Sequence, residues 1–218
     1  MSLRIDVGTA PSAARARGVT AATAAIRRGE VIVLPTESVY GVAADPFSPR
    51  GIEMLREIKG RGRAFPIGVL VGAARTVDGL ATGIGADGRA LIEAFWPGPL
   101  TLIVREQPTL AWDLGGSSGT ISLRMPLHPV ALDVLASTGP LAVTGAHRAG
   151  EPAPRTCDDA EERLGEEVSL YLDAGPCTDE APSTIVDITG DIPLLLRQGA
   201  FGIDALRSIC PDIEAPTS

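Results

Sequence analysis

The segment Lys59-Gly60-Arg61-Gly62-Arg63 gathers the residue types best suited to holding an anion. Lys59 is the only lysine among 19 lysines and arginines. A chain that uses arginine almost everywhere else places one compact, movable ammonium here. Arg61 and Arg63 can each grip phosphate or carboxylate through two parallel N–H donors, and the glycines let backbone approach a ligand closely. The same residues would also serve as favourable charge at a helix C-terminus followed by a solvated loop. Neither GxxxxGK[ST] nor a strand–turn–helix GxGxxG occurs in the chain, so a phosphate site here would be of another kind.

Further candidates follow apolar runs. PTESVYG (35–41) would expose Thr36, Glu37, Ser38 and Tyr40 at a strand end, where α/β proteins place ligand contacts. A plain turn satisfying its own backbone explains the segment equally well. Thr120 begins the run TISLR, and Arg124 and Arg197 each close an apolar run. Such arginines either turn into a cleft or reach out to water. TGAHRAG (144–150) is a glycine-rich turn that would present His147, a group able to donate, accept or carry a proton near neutral pH, together with Arg148. His128 precedes a helix and reads as packing or capping. Two histidines and no CxxC argue against zinc, and no GxSxG nucleophile motif is present.

These groups need a scaffold, and the 218 residues suffice to bury a core. Apolar residues make up 44 % and aromatics only 4 %, so the core is built from Val, Leu, Ile and Ala. A net charge of -8 excludes a broad duplex-binding surface but leaves room for a local basic pocket. The acidic run Asp158, Asp159, Glu161, Glu162, Glu166 and Glu167 reads as a solvated helix face. Cys157, Cys177 and Cys210 are odd in number and widely spaced, as expected of free thiols in a reducing compartment. The N-terminus lacks an apolar signal core, and no apolar run approaches the roughly 20 residues of a membrane helix. A cytoplasmic protein without membrane contact is expected.

The periodicity predicts helices over Thr20–Arg28 (capped by Thr20 and stopped by Gly29), Ile52–Lys59, Ala90–Phe95, Pro129–Ser137, Thr156–Leu164 and Ile203–Ile209. Strands are predicted at 31–35, 67–71, 100–104, 120–126, 141–144, 168–172, 183–188 and 193–197. Strands interleaved with helices indicate an α/β layer fold. The late strands have no helices between them, which indicates a partly antiparallel sheet.

In order and spacing, PTESVYGVAADPF (35–47), IKGRGRAFPIGVLV (58–71), FWPGPLTLIV (95–104), TISLRMPLHP (120–129), the segment around 141–150, STIVDITG (183–190) and LLRQGAF (195–201) resemble the bacterial threonylcarbamoyl-AMP synthases, the YrdC/Sua5-like family. The resemblance runs from about residue 18 to residue 208. It implies a twisted mixed parallel/antiparallel sheet flanked by helices around a basic cavity. The implied layout is an N-terminal extension (1–17), a single catalytic domain (18–210) and a tail (211–218). The implied reaction joins L-threonine, bicarbonate and ATP into threonylcarbamoyl-AMP, with Mg2+ assisting and pyrophosphate leaving. The product supplies the N6-threonylcarbamoyl group of adenosine 37 in tRNA, through tRNA-modification proteins and with at most weak direct contact to RNA.

By that resemblance Lys59 and Arg61 hold phosphates and carbamate. Thr36, Ser38, Tyr40, Arg63, Thr120, Arg124, Gly145, His147, Ser183 and Arg197 surround the substrates. The chain departs from the family at 145–150: Gly145-Ala146-His147 stands where Ser-Ala-Asn is usual, and Ala149 lacks a second hydroxyl. Ser38 replaces a usual Thr, and Gly62 a frequent Pro. A paralogue activating another amine or carbamoyl donor, or a non-catalytic nucleotide- or RNA-binding relative, are the competing readings.

Overall fold

The computed structural model describes residues 2–8, 10–60, 62–116, 119–178 and 181–215. Its elements in chain order are β1 (Leu3–Asp6), α1 (Ala13–Arg27), β2 (Ile32–Pro35), β3 (Tyr40–Ala44), α2 (Pro49–Lys59), β4 (Gly68–Leu70), α3 (Val77–Leu80), β5 (Ala81–Thr82), α4 (Ala86–Phe95), β6 (Leu100–Glu106), β7 (Thr120–Arg124), α5 (Pro129–Thr138), β8 (Leu141–Gly145), α6 (Cys157–Leu164), β9 (Leu170–Asp173), β10 (Thr184–Asp187), β11 (Leu194–Arg197) and α7 (Ile203–Arg207).

Among the described residues all eleven strands join one sheet, in the order β1-β9-β2-β3-β8-β4-β7-β6-β10-β11, with β5 on β6. The sheet is mixed, as expected. β1–β9, β2–β9, β4–β7 and β6–β10 are parallel, whereas β2–β3, β3–β8, β4–β8, β6–β7, β5–β6 and β10–β11 are antiparallel.

The two faces of the sheet differ. Alternate residues along each strand point to opposite sides. One side carries Val33, Tyr40, Val42, Val69, Leu102, Leu123 and Tyr171, packed under Ile52 and Leu55 of α2, Leu91 of α4, Leu164 of α6 and Leu206 of α7. This face is closed along its length. The other side carries Ile32, Leu34, Ala43, Leu70, Leu141 and Leu172 under α1 and α5, which supply Ala22, Ala25, Ile26, Val130 and Val134. Those two helices cover only one end of the sheet. Past them the same face continues as Gly41, Gly68, Ser122, Val143, Gly145 and Thr101.

Three sequence-based expectations change. The first helix starts at Ala13, capped by Ser12, whose hydroxyl accepts from Arg15 N at 3.1 Å. Thr20 is therefore no cap; it lies mid-helix and donates back to Ala16 O at 2.9 Å. Alanines and arginines in the first turns hide the apolar stripe, and Gly18 suggests a break. Gly18 is instead a packing device, since a Cβ there would strike Val7. The segment expected as an N-terminal extension supplies β1 and the start of α1. Of the tail, Glu214 bridges Leu194, and Ile213 is buried.

Second, PTESVYG is not an exposed turn. Thr36, Glu37, Ser38 and Tyr40 are all buried, and the segment is a tight hairpin leading into β3, which sequence reasoning missed. Third, two helices begin earlier than expected: α2 at Pro49, by three residues and capped by Ser48, and α4 at Ala86, by four. No helix among the described residues is long and apolar enough to cross a membrane.

Candidate functional site

The uncovered end of the second face forms a cavity of about 280 Å3. Its floor is bare at Gly41 of β3 and Gly68 of β4, and Gly145 of β8 lines its edge beside the His147 ring. A Cβ at Gly41 would meet Val143 Cγ1 at 2.8 Å, and one at Gly68 would meet Ser122 Oγ at 2.9 Å. Polar groups ring this floor: Thr36, Thr101, Ser122, Thr144, Ser183, Arg124 and Arg197.

Arg124 is the most constrained of them. Its guanidinium is paired with Glu37. It also donates to Ser38 Oγ at 3.4 Å and, through Nε, to Gly98 O at 3.3 Å. The second Glu37 oxygen accepts from Leu127 N at 3.2 Å. Glu37 is 3 % exposed, so both its oxygens are satisfied from within the protein, as a buried carboxylate requires. Thr36 closes the hairpin by donating to Val39 O at 2.6 Å and accepting from Val39 N at 3.2 Å.

On the opposite rim, Arg197 donates to Ser183 O at 2.7 Å and Ser183 Oγ at 3.0 Å, and Ser183 Oγ accepts from Thr101 at 3.0 Å. The residue as a whole reaches solvent, but its head group lies in the cleft. Burial there, and then the neighbouring Arg124 charge, hold it below the usual arginine range. Two cations, Arg124 and Arg197, line one cavity and, among the described residues, only Arg124 is paired with a carboxylate, Glu37, so the cavity is suited to an anion.

Lys59 ends α2, where Gly60 in the left-handed conformation stops the helix. Its ammonium donates to His147 O at 2.8 Å and Gly145 O at 3.3 Å. Lys59 thereby fixes the turn after β8, which also holds Ala146 N on Tyr40 O at 3.0 Å.

The expected residues are thus only partly brought together. Thr36, Arg124, Gly145, Ser183 and Arg197 line one cavity, with Ser38 bonded to Arg124. Lys59 and His147 meet at its Gly145 edge. Arg63 and Thr120 line a second cleft of about 440 Å3 with Trp112, Gly115 and Gly116. Tyr40 does not reach the cavity. It points into the closed face, donates to Gly175 O at 2.6 Å and accepts from Ala174 N at 3.1 Å. Burial pushes its phenol above the usual range. Arg61 lies outside the described residues. His128 caps no helix through its side chain. Burial, the largest influence on it, lowers its imidazole pKa despite the nearby Glu37.

Sequence reasoning missed Gly41, Gly68, Thr101 and Ser122 of the cavity, and it named Glu37 in the turn without giving it a place in the site. A signal was available: it is the only charge between Val31 and Ala44, and a lone carboxylate in an apolar stretch must find a cation if it is buried.

Comparison with known proteins places this geometry. The Sua5/YciO/YrdC family model, described as "Telomere recombination", matches residues 24–199. A Mycobacterium tuberculosis (strain H37Rv) protein, provisionally named a threonylcarbamoyl-AMP synthase, is 46 % identical over 195 residues, covering 89 % of this chain and 90 % of that relative. The threonylcarbamoyl-AMP synthase of Bacillus subtilis (strain 168) is 30 % identical over 88 % of this chain, which spans 56 % of its length. The crystal structure of Pyrococcus abyssi Sua5 complexed with L-threonine superposes with a TM-score of 0.92 at 27 % identity, over 99 % of this chain and 63 % of that one. The chain belongs to the Sua5/YciO/YrdC family.

Proposed function

We propose that this protein is an ATP-dependent nucleotidyltransferase that makes threonylcarbamoyl-AMP and pyrophosphate from L-threonine, bicarbonate and ATP. The observation that carries the reading is the superposition, over nearly the whole chain, on a Sua5 crystallised with L-threonine. The 46 % identity to the mycobacterial relative supports it.

The chemistry suits the cavity. The threonine amine adds to CO2 derived from bicarbonate, giving a carbamate. A carbamate oxygen then attacks the α-phosphorus of ATP, and the bond to pyrophosphate breaks. Negative charge grows on the phosphoryl oxygens, so fixed donors and cations lower the barrier without a covalent enzyme intermediate.

In this reading the glycine floor takes threonine, with Thr36, Ser38 and Ser183 placing its polar groups and Arg124 and Arg197 facing its carboxylate. Lys59 and Arg61 hold phosphates and carbamate, and Arg63 and Thr120 flank the nucleotide in the neighbouring cleft. Among the described residues no three His, Cys, Asp or Glu side chains cluster to hold a metal, so Mg2+ is assigned to the nucleotide as MgATP. The product would pass in the cytoplasm to proteins that transfer the threonylcarbamoyl group to adenosine 37 of tRNA.

The test is pyrophosphate release from ATP. Release that depends on both L-threonine and bicarbonate and falls about 100-fold or more in Lys59→Ala, as for loss of a transition-state donor, is the expected result. Release that ignores threonine, or matches Lys59→Ala, would sink the proposal.

A further inference from the structure

The loop 59–63 carries Lys59, Arg61 and Arg63 with two glycines between them, and it has no apolar side chain to bury. Gly60 and Gly62 have open space where a Cβ would stand, and glycine loses the most freedom on being fixed. Such a segment cannot hold cations at fixed positions by itself. The structure holds it at both ends. At its start, Lys59 O accepts from Ala149 N at 3.3 Å, and Lys59 Nζ donates to the His147 and Gly145 carbonyls. At its far end the chain lies on the turn 113–116, in the connection between β6 and β7.

That turn fits the loop at the level of the backbone. Gly116 N donates to Arg63 O at 2.9 Å, and Ile67 N donates to Leu114 O at 2.9 Å. Gly115 and Gly116 have φ of +78° and +76°, a conformation that side-chain-bearing residues rarely adopt. The space is closed as well. A Cβ at Gly115 would lie 2.5 Å from Arg63 O and 2.9 Å from Phe65 O, and one at Gly116 would lie 2.8 Å from Pro66 Cβ. Both glycines serve the close approach of the two segments.

Asp113 joins the turn to α2. Arg56, 8 % exposed, donates to Asp113 O at 2.9 Å and to Oδ1 at 3.1 Å. Oδ1 also accepts from Gly115 N at 3.1 Å, and Oδ2 lies 3.5 Å from Arg63 Nη1. The Arg63 pair is exposed and adds little. Buried Arg56 and the close-packed glycines carry the joint. α2 thus fixes both ends of the loop: Lys59 directly, and Arg63 through Arg56, Asp113 and the turn.

We propose that Asp113 is a positioning residue, acting through Arg56 and the turn 113–116 to set the cations of the loop 59–63 against the cavity. This rests on the proposed function above, in which those cations meet phosphate and carbamate. A displacement of about 1 Å in such groups can cost on the order of 100-fold in rate.

The experiment compares wild type, Asp113→Ala, Asp113→Asn and Gly115→Ala in threonine-dependent pyrophosphate release and in limited trypsin digestion, with cleavage inside the loop 59–63 read by mass spectrometry. Asp113→Ala removes the acceptor for Arg56 and Gly115 and adds no atoms to the neighbouring cleft. It is expected to lower kcat/KM for ATP about tenfold or more, with KM for threonine little changed. Loop cleavage should become several-fold faster, as expected of a segment that opens more often, with cleavage elsewhere in the chain unchanged. Asp113→Asn keeps an acceptor oxygen in place and is expected to recover most of both losses. Gly115→Ala drives a methyl group against Arg63 O and should match or exceed Asp113→Ala in both readouts.

Unchanged loop cleavage in Asp113→Ala, or full kcat/KM for ATP, would overturn the inference. So would an Asp113→Asn protein as impaired as Asp113→Ala, which would make Asp113 a source of charge rather than of position. If wild type releases no pyrophosphate with threonine, the proposed function fails by itself. The cleavage rates then decide the joint alone: faster in Asp113→Ala and restored in Asp113→Asn supports it, and equal rates refute it. Should Gly115→Ala not fold, the two Asp113 variants, made on a half-exposed side chain, read the same joint.

Discussion

The two faces of the sheet are made by the same strands and have opposite compositions. On the closed face β3, β4, β6 and β7 present Tyr40, Val42, Val69, Leu102 and Leu123, each sealed by helices. On the open face the same four strands present Gly41, Gly68, Thr101, Ser122 and Arg124. Alternation along a strand lets one segment hold the fold together with one set of residues and bind with the next set. Each buried leucine or valine on the closed side contributes about 1.5–3 kcal/mol. The glycines on the open side contribute none of this; they leave room. A substitution should therefore affect either stability or catalysis according to the parity of its position, except where the open face is itself buried.

Arg124 is one such buried position, at the cavity itself, and carries the largest expected effect. It sits on the open face but is paired with buried Glu37. Arg124→Ala removes a cavity cation and strands a carboxylate, so it should cost about 3–5 kcal/mol of stability. It should also cut threonine-dependent turnover about 100-fold. Denaturant unfolding and pyrophosphate release check the two halves. Normal stability would show that Glu37 does not depend on this arginine.

Next, Leu102→Ala on the closed face is expected to cost about 2–5 kcal/mol, with KM for threonine unchanged in whatever fraction stays folded. Gly68→Val, opposite in parity, fills the floor. Ser122 can turn its hydroxyl aside, and a β-branched residue suits a strand, so stability should change by less than about 1 kcal/mol. Crowding of the pocket by added methyl groups should lower kcat/KM roughly tenfold or more.

The smallest effect concerns a closed-face thiol. Burial, chiefly, with Asp173 nearby, pushes Cys157 up to about 12. The folded state thus holds the proton more tightly than the unfolded chain. The resulting stability is present below about pH 9, the ordinary thiol value, and is lost as pH rises from there through about 12. At neutral pH Cys157 should resist alkylation by iodoacetamide while half-buried Cys177 reacts more readily. Mass spectrometry of labelled peptides reads the difference, and faster labelling at Cys157 would contradict its burial.

The closed face was the legible half. The apolar runs at 31–35, 100–104 and 141–144 announced their strands because burial on that side is written in Val, Leu and Ile. β3 escaped notice because its open-face positions are glycine and alanine, which read as loop. β1 and the first turns of α1 were missed because Arg4, Arg15 and Arg17 interrupt the periodicity. Arg15 is in fact buried, paired with Asp133 and donating to Pro129 O.

The open face was legible by residue type but not by placement. Arg124 and Arg197 were marked as arginines at strand ends, yet only the folded sheet brings them to one cavity. Tyr40 was drawn into the site by its neighbours along the chain, whereas strand alternation sends it to the core. Glu37 was seen and set aside, because nothing local says that a partner 87 residues away awaits it. The close approach of the His147 ring to Gly145 is likewise invisible until the chain is folded.

The most direct test of the account is a double comparison of Gly68→Val and Leu102→Ala, measuring Tm and threonine-dependent pyrophosphate release side by side. The account predicts that Gly68→Val keeps its Tm and loses kcat/KM, while Leu102→Ala loses Tm and keeps its KM for threonine. A Gly68→Val protein with full kcat/KM would contradict it and move the site away from the glycine floor.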